Sequence, residues 1–166
     1  MKNADLKKFF DEDHKYTDSE GDVYYQVPLD EYMKTEEFKT FPAVTRVDTD
    51  SRTGKDIEFE CHFMSSSCWT DVYPHMIVSK SPSELTVEYV NLDAEVISGS
   101  GFDGSAEYRL LVDVDENGLL VRKYVRKVQR ARKKVKGKFV HLYYFKNGCE
   151  HFVPNQYPRY YRDPSF

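Results

Sequence analysis

The chain has 166 residues, a formal net charge of −4, and 15% aromatic residues led by 13 Tyr and 11 Phe. That length is enough to bury a core without metal or disulfide help, and no stretch is apolar enough to span a membrane or serve as a signal peptide. The small net charge conceals a polarisation: residues 1–118 hold 11 Lys+Arg against 26 Asp+Glu, a net of −15, and residues 119–166 hold 13 against 2, a net of +11.

Residues 5–22 mix charges with a few aromatics, and only this acidic stretch has the composition of disorder. Leu6, Phe9 and Phe10 give a short helix over 4–11 its apolar side. VYYQV at 23–27 reads as a strand. Asp30 then reads as an N-cap, and Tyr32, Met33, Phe38 and Phe41 form a helical stripe that predicts a helix over 29–40, stopped by Pro42.

From residue 42 the apolar period becomes two. PAVTRV and IEFECHFM, separated by DTDSRTGKD, predict a hairpin with Ile57, Phe59, Cys61 and Phe63 on one face and Glu58, Glu60, His62 and Met64 on the other. SSSCWTD at 65–71 reads as a loop. VYPHMIVS and LTVEYVNL predict a second hairpin, and 93–98 a further strand. The Gly/Ser-rich 98–105 reads as a flexible connection. AEYRLLVDV and LLVRKYVRK across Asp115-Glu116-Asn117-Gly118 predict a third hairpin, and KFVHLYYF with CEHFV a last one.

Segment 119–136 carries two readings. Val121, Tyr124, Val125, Val128, Ala131 and Val135 fall at helical spacing, with Asp115 to cap and Gly137 to close. The preceding turn and the Val/Tyr content favour a strand over 119–128, with the residues beyond it a helix or the tip of a long hairpin. The whole predicts a mainly β (α+β) fold, an antiparallel meander sheet or barrel with an N-terminal helix. Its parts are an acidic N-terminal segment at 1–22, a single β-rich domain at 23–153, and an extended aromatic-basic tail at 154–166.

The leading candidate site is the basic run Arg122, Lys123, Arg126, Lys127, Arg130, Arg132, Lys133, Lys134, Lys136 and Lys138, with no carboxylate between Gly118 and Cys149. Such a run neutralises phosphates and releases their counterions, or docks on an acidic protein surface. Tyr157, Arg159, Tyr160, Tyr161 and Arg162 in the tail pair stacking faces with cations, as single-strand binders do, or else cover a sheet edge.

Four further features weigh less. Cys61, His62, Cys68, Cys149 and His151 are zinc-ligand types without zinc spacing, so no metal and no cofactor is expected. Glu58, Glu60, His62 and His141 could do acid/base work if they lined a barrel lumen; on an outer face they are ordinary amphipathicity. Gly99, Gly101 and Gly104 spell G-x-G-x-x-G, but a strand rather than a helix is predicted to follow. The acids Asp11, Glu12, Asp13, Asp18, Glu20 and Asp22 could cover the chain's own basic segment.

Together these predict a small non-catalytic regulatory or interaction protein that uses 119–138 to engage nucleic acid or a nucleoprotein. The alternatives are an inhibitor docking on a protein partner through either charged face, and, further behind, a ligand-binding barrel or enzyme. No membrane partner is expected. Charge complementarity between the two halves allows an oligomer, and three cysteines without a disulfide pattern suggest a cytoplasmic setting.

Overall fold

The computed structural model describes residues 3–100 and 105–162. The fold is mostly antiparallel β. A 3-10 helix, Asn3–Phe9, leads to β1 (Lys15–Thr17), β2 (Val23–Pro28), α1 (Leu29–Tyr32) and α2 (Glu36–Lys39). There follow β3 (Val44–Thr49), β4 (Asp56–Cys61), β5 (Phe63–Cys68), β6 (Asp71–Lys80), β7 (Thr86–Asn91), β8 (Asp93–Ser98), β9 (Glu107–Val114), β10 (Arg126–Val135), β11 (Lys138–Asn147) and β12 (Glu150–Asn155). Two compact units emerge among the described residues, 3–41 with 92–100 and 105–124, and 42–91 with 125–162. Each is assembled from interleaved stretches of chain, so no shift in composition marks where one ends.

The first unit is a four-stranded sheet in the order β1-β2-β9-β8. The predicted 29–40 helix is two single turns. Pro28 precedes α1 without a side-chain cap, and Asp30 lies in the first turn rather than before it. Thr35 caps α2, accepting from Phe38 N–H. The broken helix still buries Tyr32, Phe38 and Phe41 of the predicted stripe, packed ring to ring at 6.2–6.4 Å, while Met33 is only half-buried. The hairpin predicted between 106–114 and 119–127 does not form. Both edges of β9 are taken, by β2 and β8. Only a bridge from Val114 to Leu120 remains beyond the Asp115–Gly118 turn.

The second unit is a closed barrel in the order β10-β11-β12-β5-β6-β7, with β3-β4 as a separate two-stranded ribbon. The predicted strand IEFECHFM is divided at His62. Its first half pairs with β3, and its second enters the barrel between β12 and β6. SSSC is therefore strand and not loop, because Ser65 and Ser66 are small enough to be buried where β5 meets two neighbours. Val44, Cys61, Met64, Ile77, Val87, Tyr89, Val128, Phe145 and Phe152 fill the core. Burial pushes the Cys61 thiol up to about 11, an unreactive value.

A buried imidazole sits inside this unit. His75 is buried, with Nε2 at 2.7 Å from Ser66 Oγ and Nδ1 at 2.8 Å from Asn91 Oδ1. The amide oxygen can only accept, so Nδ1 donates to it and neutral Nε2 accepts from the Ser66 hydroxyl. Burial among the Tyr89 and Phe152 rings holds the imidazole below its ordinary value of 6.5. The unfolded chain therefore binds the proton first. The stabilising contribution is complete above about pH 6.5 and is lost as the pH falls from there through the folded value. Urea titrations between pH 7.5 and 5 should show stability falling with acid in the native chain and a flatter profile in His75→Gln. Parallel profiles would contradict this.

A candidate polyanion-binding arm

The basic run is divided between the units. Arg122 and Lys123 belong to the first. Lys123 Nζ lies 2.7, 2.6 and 3.2 Å from carboxylate oxygens of Asp18, Glu20 and Asp22. The Asp18 carboxylate also accepts from the backbone N–H groups of Glu20 and Asp22, which curls the DSEGD loop around the ammonium. The hydrogen bond from Lys123 holds the Asp18 carboxyl below the carboxylate range, and the reciprocal bond raises Lys123. Arg122 stacks on Phe41 at 5.5 Å and lies 3.7 Å from Glu37. These two cations are already engaged by acids of their own unit.

The other eight lie in the second unit, on β10, the turn after it and the first residue of β11. Val135↔Lys138 closes the β10–β11 hairpin across Lys136 and Gly137. Both turn residues have positive φ, 50° and 82°, the two-residue geometry that matches strand twist. This resolves the ambiguous segment as the long-hairpin alternative from Arg126 onward. No helix forms, because Arg126–Gln129 pair with β7 and Gln129–Val135 with β11.

Near its base the hairpin is part of the barrel wall. Arg130 is held there: Nε donates to Glu84 O at 3.1 Å, Nη1 donates to Leu142 O at 3.3 Å, and the guanidinium sits 4.7 Å over the Phe145 ring. Burial lowers its proton affinity, although Glu84 opposes the shift. Arg130 is thus a structural cation.

Past an irregularity between Arg130 and Arg132 the hairpin leaves the barrel. Every residue from Arg132 to His141 is exposed. Here Arg132 pairs with His141, Lys133 with Val140, Lys134 with Phe139 and Val135 with Lys138. Directly opposed residues share a face of the pleat. One face therefore carries Arg132, Lys134, Phe139 and His141, and the other carries Lys133, Lys138, Val135 and Val140. Among the described residues none of the cations Lys127, Arg132, Lys133, Lys134, Lys136 and Lys138 makes an ion pair with a carboxylate. Arg132 lies over the Phe139 ring at 4.4 Å, which orients its guanidinium.

A cleft of about 620 Å³ runs along this hairpin, lined by Lys127, Gln129, Arg130, Arg132, Phe139, Lys146 and the Asn147-Gly148 turn among others. Among the described residues four cations and no carboxylate line it, so it is suited to an anion. Lys146, which joins it from β11, was outside the predicted set.

No family model, curated protein or solved structure matches this chain.

The tail is pinned at the other end of the barrel. Val72 N–H donates to Tyr161 O at 2.7 Å, and Tyr161 N–H donates to Val72 O at 2.9 Å. The β6–β7 register ends at His75↔Asn91, so Val72 has no partner on β7 and the tail occupies that edge. Tyr160 packs edge-on against Tyr73. Tyr157, Arg159 and Arg162 remain exposed. The hairpin registers put the Trp69 turn, the Gly148 turn and this bridge at one end, opposite the tip of the arm.

Glu58 and Glu60 are exposed on the β3-β4 ribbon, and His141 is on the arm, so none of the three faces the apolar core. Among the described residues no three His, Cys, Asp or Glu side chains are grouped to hold a metal ion. No described helix is long and apolar enough to cross a membrane. Gly99 is required by packing, since a Cβ there would lie 2.2 Å from Ser105 O, and β9 rather than a helix follows. Gly101 and Gly104 lie outside the described residues.

Proposed function

We propose that this protein is a non-catalytic, nucleic-acid-engaging regulator whose contact element is the β10–β11 arm. The observation that carries the reading is the separation of cations by role. Arg122, Lys123 and Arg130 are committed to partners within their own units, while Arg132, Lys133, Lys134, Lys136 and Lys138 stand on a protruding ribbon without carboxylate partners. A protruding ribbon needs charge to discourage edge-to-edge pairing, but one or two lysines suffice for that. Five cations on the arm, continued by Lys127 and Lys146 in the cleft, form a track for successive phosphates.

The test is binding of the full chain to fluorescent oligonucleotides across a salt series. Neutralising about five phosphates gives a slope of log Kobs against log salt near −4 to −5 on duplex DNA. A flat salt dependence, or no binding at low salt, would move the reading to an acidic protein surface as the partner.

A further inference from the structure

We infer that the arm enters the major groove of B-form duplex DNA; this rests on the polyanion reading and narrows it to one kind of nucleic acid. The two-faced distribution of charge is the first reason. A ribbon that lies on one single strand needs cations on one face. This ribbon carries Arg132 and Lys134 on one face, Lys133 and Lys138 on the other, and Lys136 in the turn, an arrangement that meets phosphates on two opposing walls.

Dimensions are the second reason. The four exposed pairs from Arg132↔His141 to Val135↔Lys138 extend about 13 Å at the ordinary strand rise, more than the roughly 8.5 Å depth of the major groove. Two strands about 4.8 Å apart, with their side chains, make a ribbon about 10 Å across. It fits the major groove, about 12 Å wide, and neither the minor groove, about 6 Å wide, nor the deep, narrow major groove of A-form RNA.

The third reason concerns stacking. Single-strand binders offer open aromatic faces along the cation track. Between Arg132 and His141 the one phenyl ring, Phe139, has a face covered by the Arg132 guanidinium, and the exposed Tyr143 lies on β11 past the four exposed pairs. The exposed Trp69 and Tyr157 are elsewhere, Trp69 on the turn at the opposite end of the barrel. Phe139, Val135 and Val140 instead give the arm apolar surface suited to thymine methyl groups. The cleft at the base, with Lys127, Arg132 and Lys146, then receives a backbone phosphate at the groove's rim.

The experiment compares a 20-base-pair DNA duplex, the same sequence as duplex RNA, and each DNA strand alone, by anisotropy at about 0.1 M salt. The expected result is duplex DNA bound about tenfold or more tightly than the other three, with the difference abolished in Lys134→Ala/Phe139→Ala, whose altered residues are exposed. Methyl green, a major-groove ligand, should compete, and netropsin, a minor-groove ligand, should not. RNA or single strands bound as tightly as the duplex, or competition by netropsin alone, overturns the groove assignment and leaves the polyanion reading standing. Failure to bind any of the four overturns both.

Discussion

Changing Arg132, Lys133, Lys134 and Lys136 together to Glu is expected to abolish nucleic-acid binding at moderate salt while leaving the fold intact. Each cation that no longer meets a phosphate makes the salt slope shallower by about 0.9, so four changes flatten it by about 3.6. Extrapolated from 1 M to about 0.1 M salt, that is a loss of some 10³-fold, and the introduced carboxylates add repulsion. The four residues are exposed and, among the described residues, form no ion pairs with acids, so stability should stay within about 0.5 kcal/mol of the native chain. Arg130 is left out deliberately, because its removal would strip the Phe145 ring and the Glu84 carbonyl of a partner inside the barrel wall. Anisotropy and thermal denaturation on the same samples separate the two effects. Unchanged affinity with unchanged stability would remove the arm from the function.

The second large effect is on stability and concerns Glu37. Its Oε1 accepts from the Tyr32 hydroxyl at 2.5 Å and from the Leu120 N–H at 2.7 Å, while Oε2 lies 3.7 Å from Arg122. Tyr32 is fully buried, and burial together with the Glu37 hydrogen bond raises its phenol far above the ordinary value. Glu37→Ala strands a buried hydroxyl and a part-buried amide at once, and each orphaned group costs about 1–3 kcal/mol. A net loss of about 2–4 kcal/mol is expected, read as a lower urea midpoint at unchanged slope. Glu37→Gln keeps an acceptor oxygen and should lose about 1 kcal/mol. A loss below about 0.5 kcal/mol in Glu37→Ala would show that water replaces the carboxylate.

The sequence carried the fold class because period two dominates from residue 42 on, and alternation is a local property. The β6-β7 and β11-β12 hairpins lie within a few residues of their predicted spans for the same reason. What was not legible depends on partners far along the chain. The 106–127 hairpin looked favourable in isolation, yet β2 and β8 occupy β9 on both sides. The strand through His62 changes sheets at a corner that no turn residue announces. The Ser-rich β5 has the composition of a loop, and the burial of Ser66 depends on His75 of the neighbouring strand β6.

The candidate site was legible in the same partial way. Ten cations in 17 residues without an acid are visible in any reading of the chain. Which of them are free is not. Lys123 is neutralised by Asp18, Glu20 and Asp22, about a hundred positions earlier, and Arg130 is held by Glu84. The acidic N-terminal segment does meet the basic run, but at Lys123 alone among its described ion pairs. Among the described residues of their own unit the arm's cations escape such pairing because the four consecutive pairs from Arg132↔His141 to Val135↔Lys138 pair strand to strand with each other.

The most direct test of the central claim is an amide NMR titration of the labelled chain with a short DNA duplex. Shifts concentrated in Arg126–His141 and Lys146–Gly148, with the Asp18–Lys123 cluster unmoved, are the predicted result. Shifts centred on the tail or the first unit, with the arm silent, would contradict it.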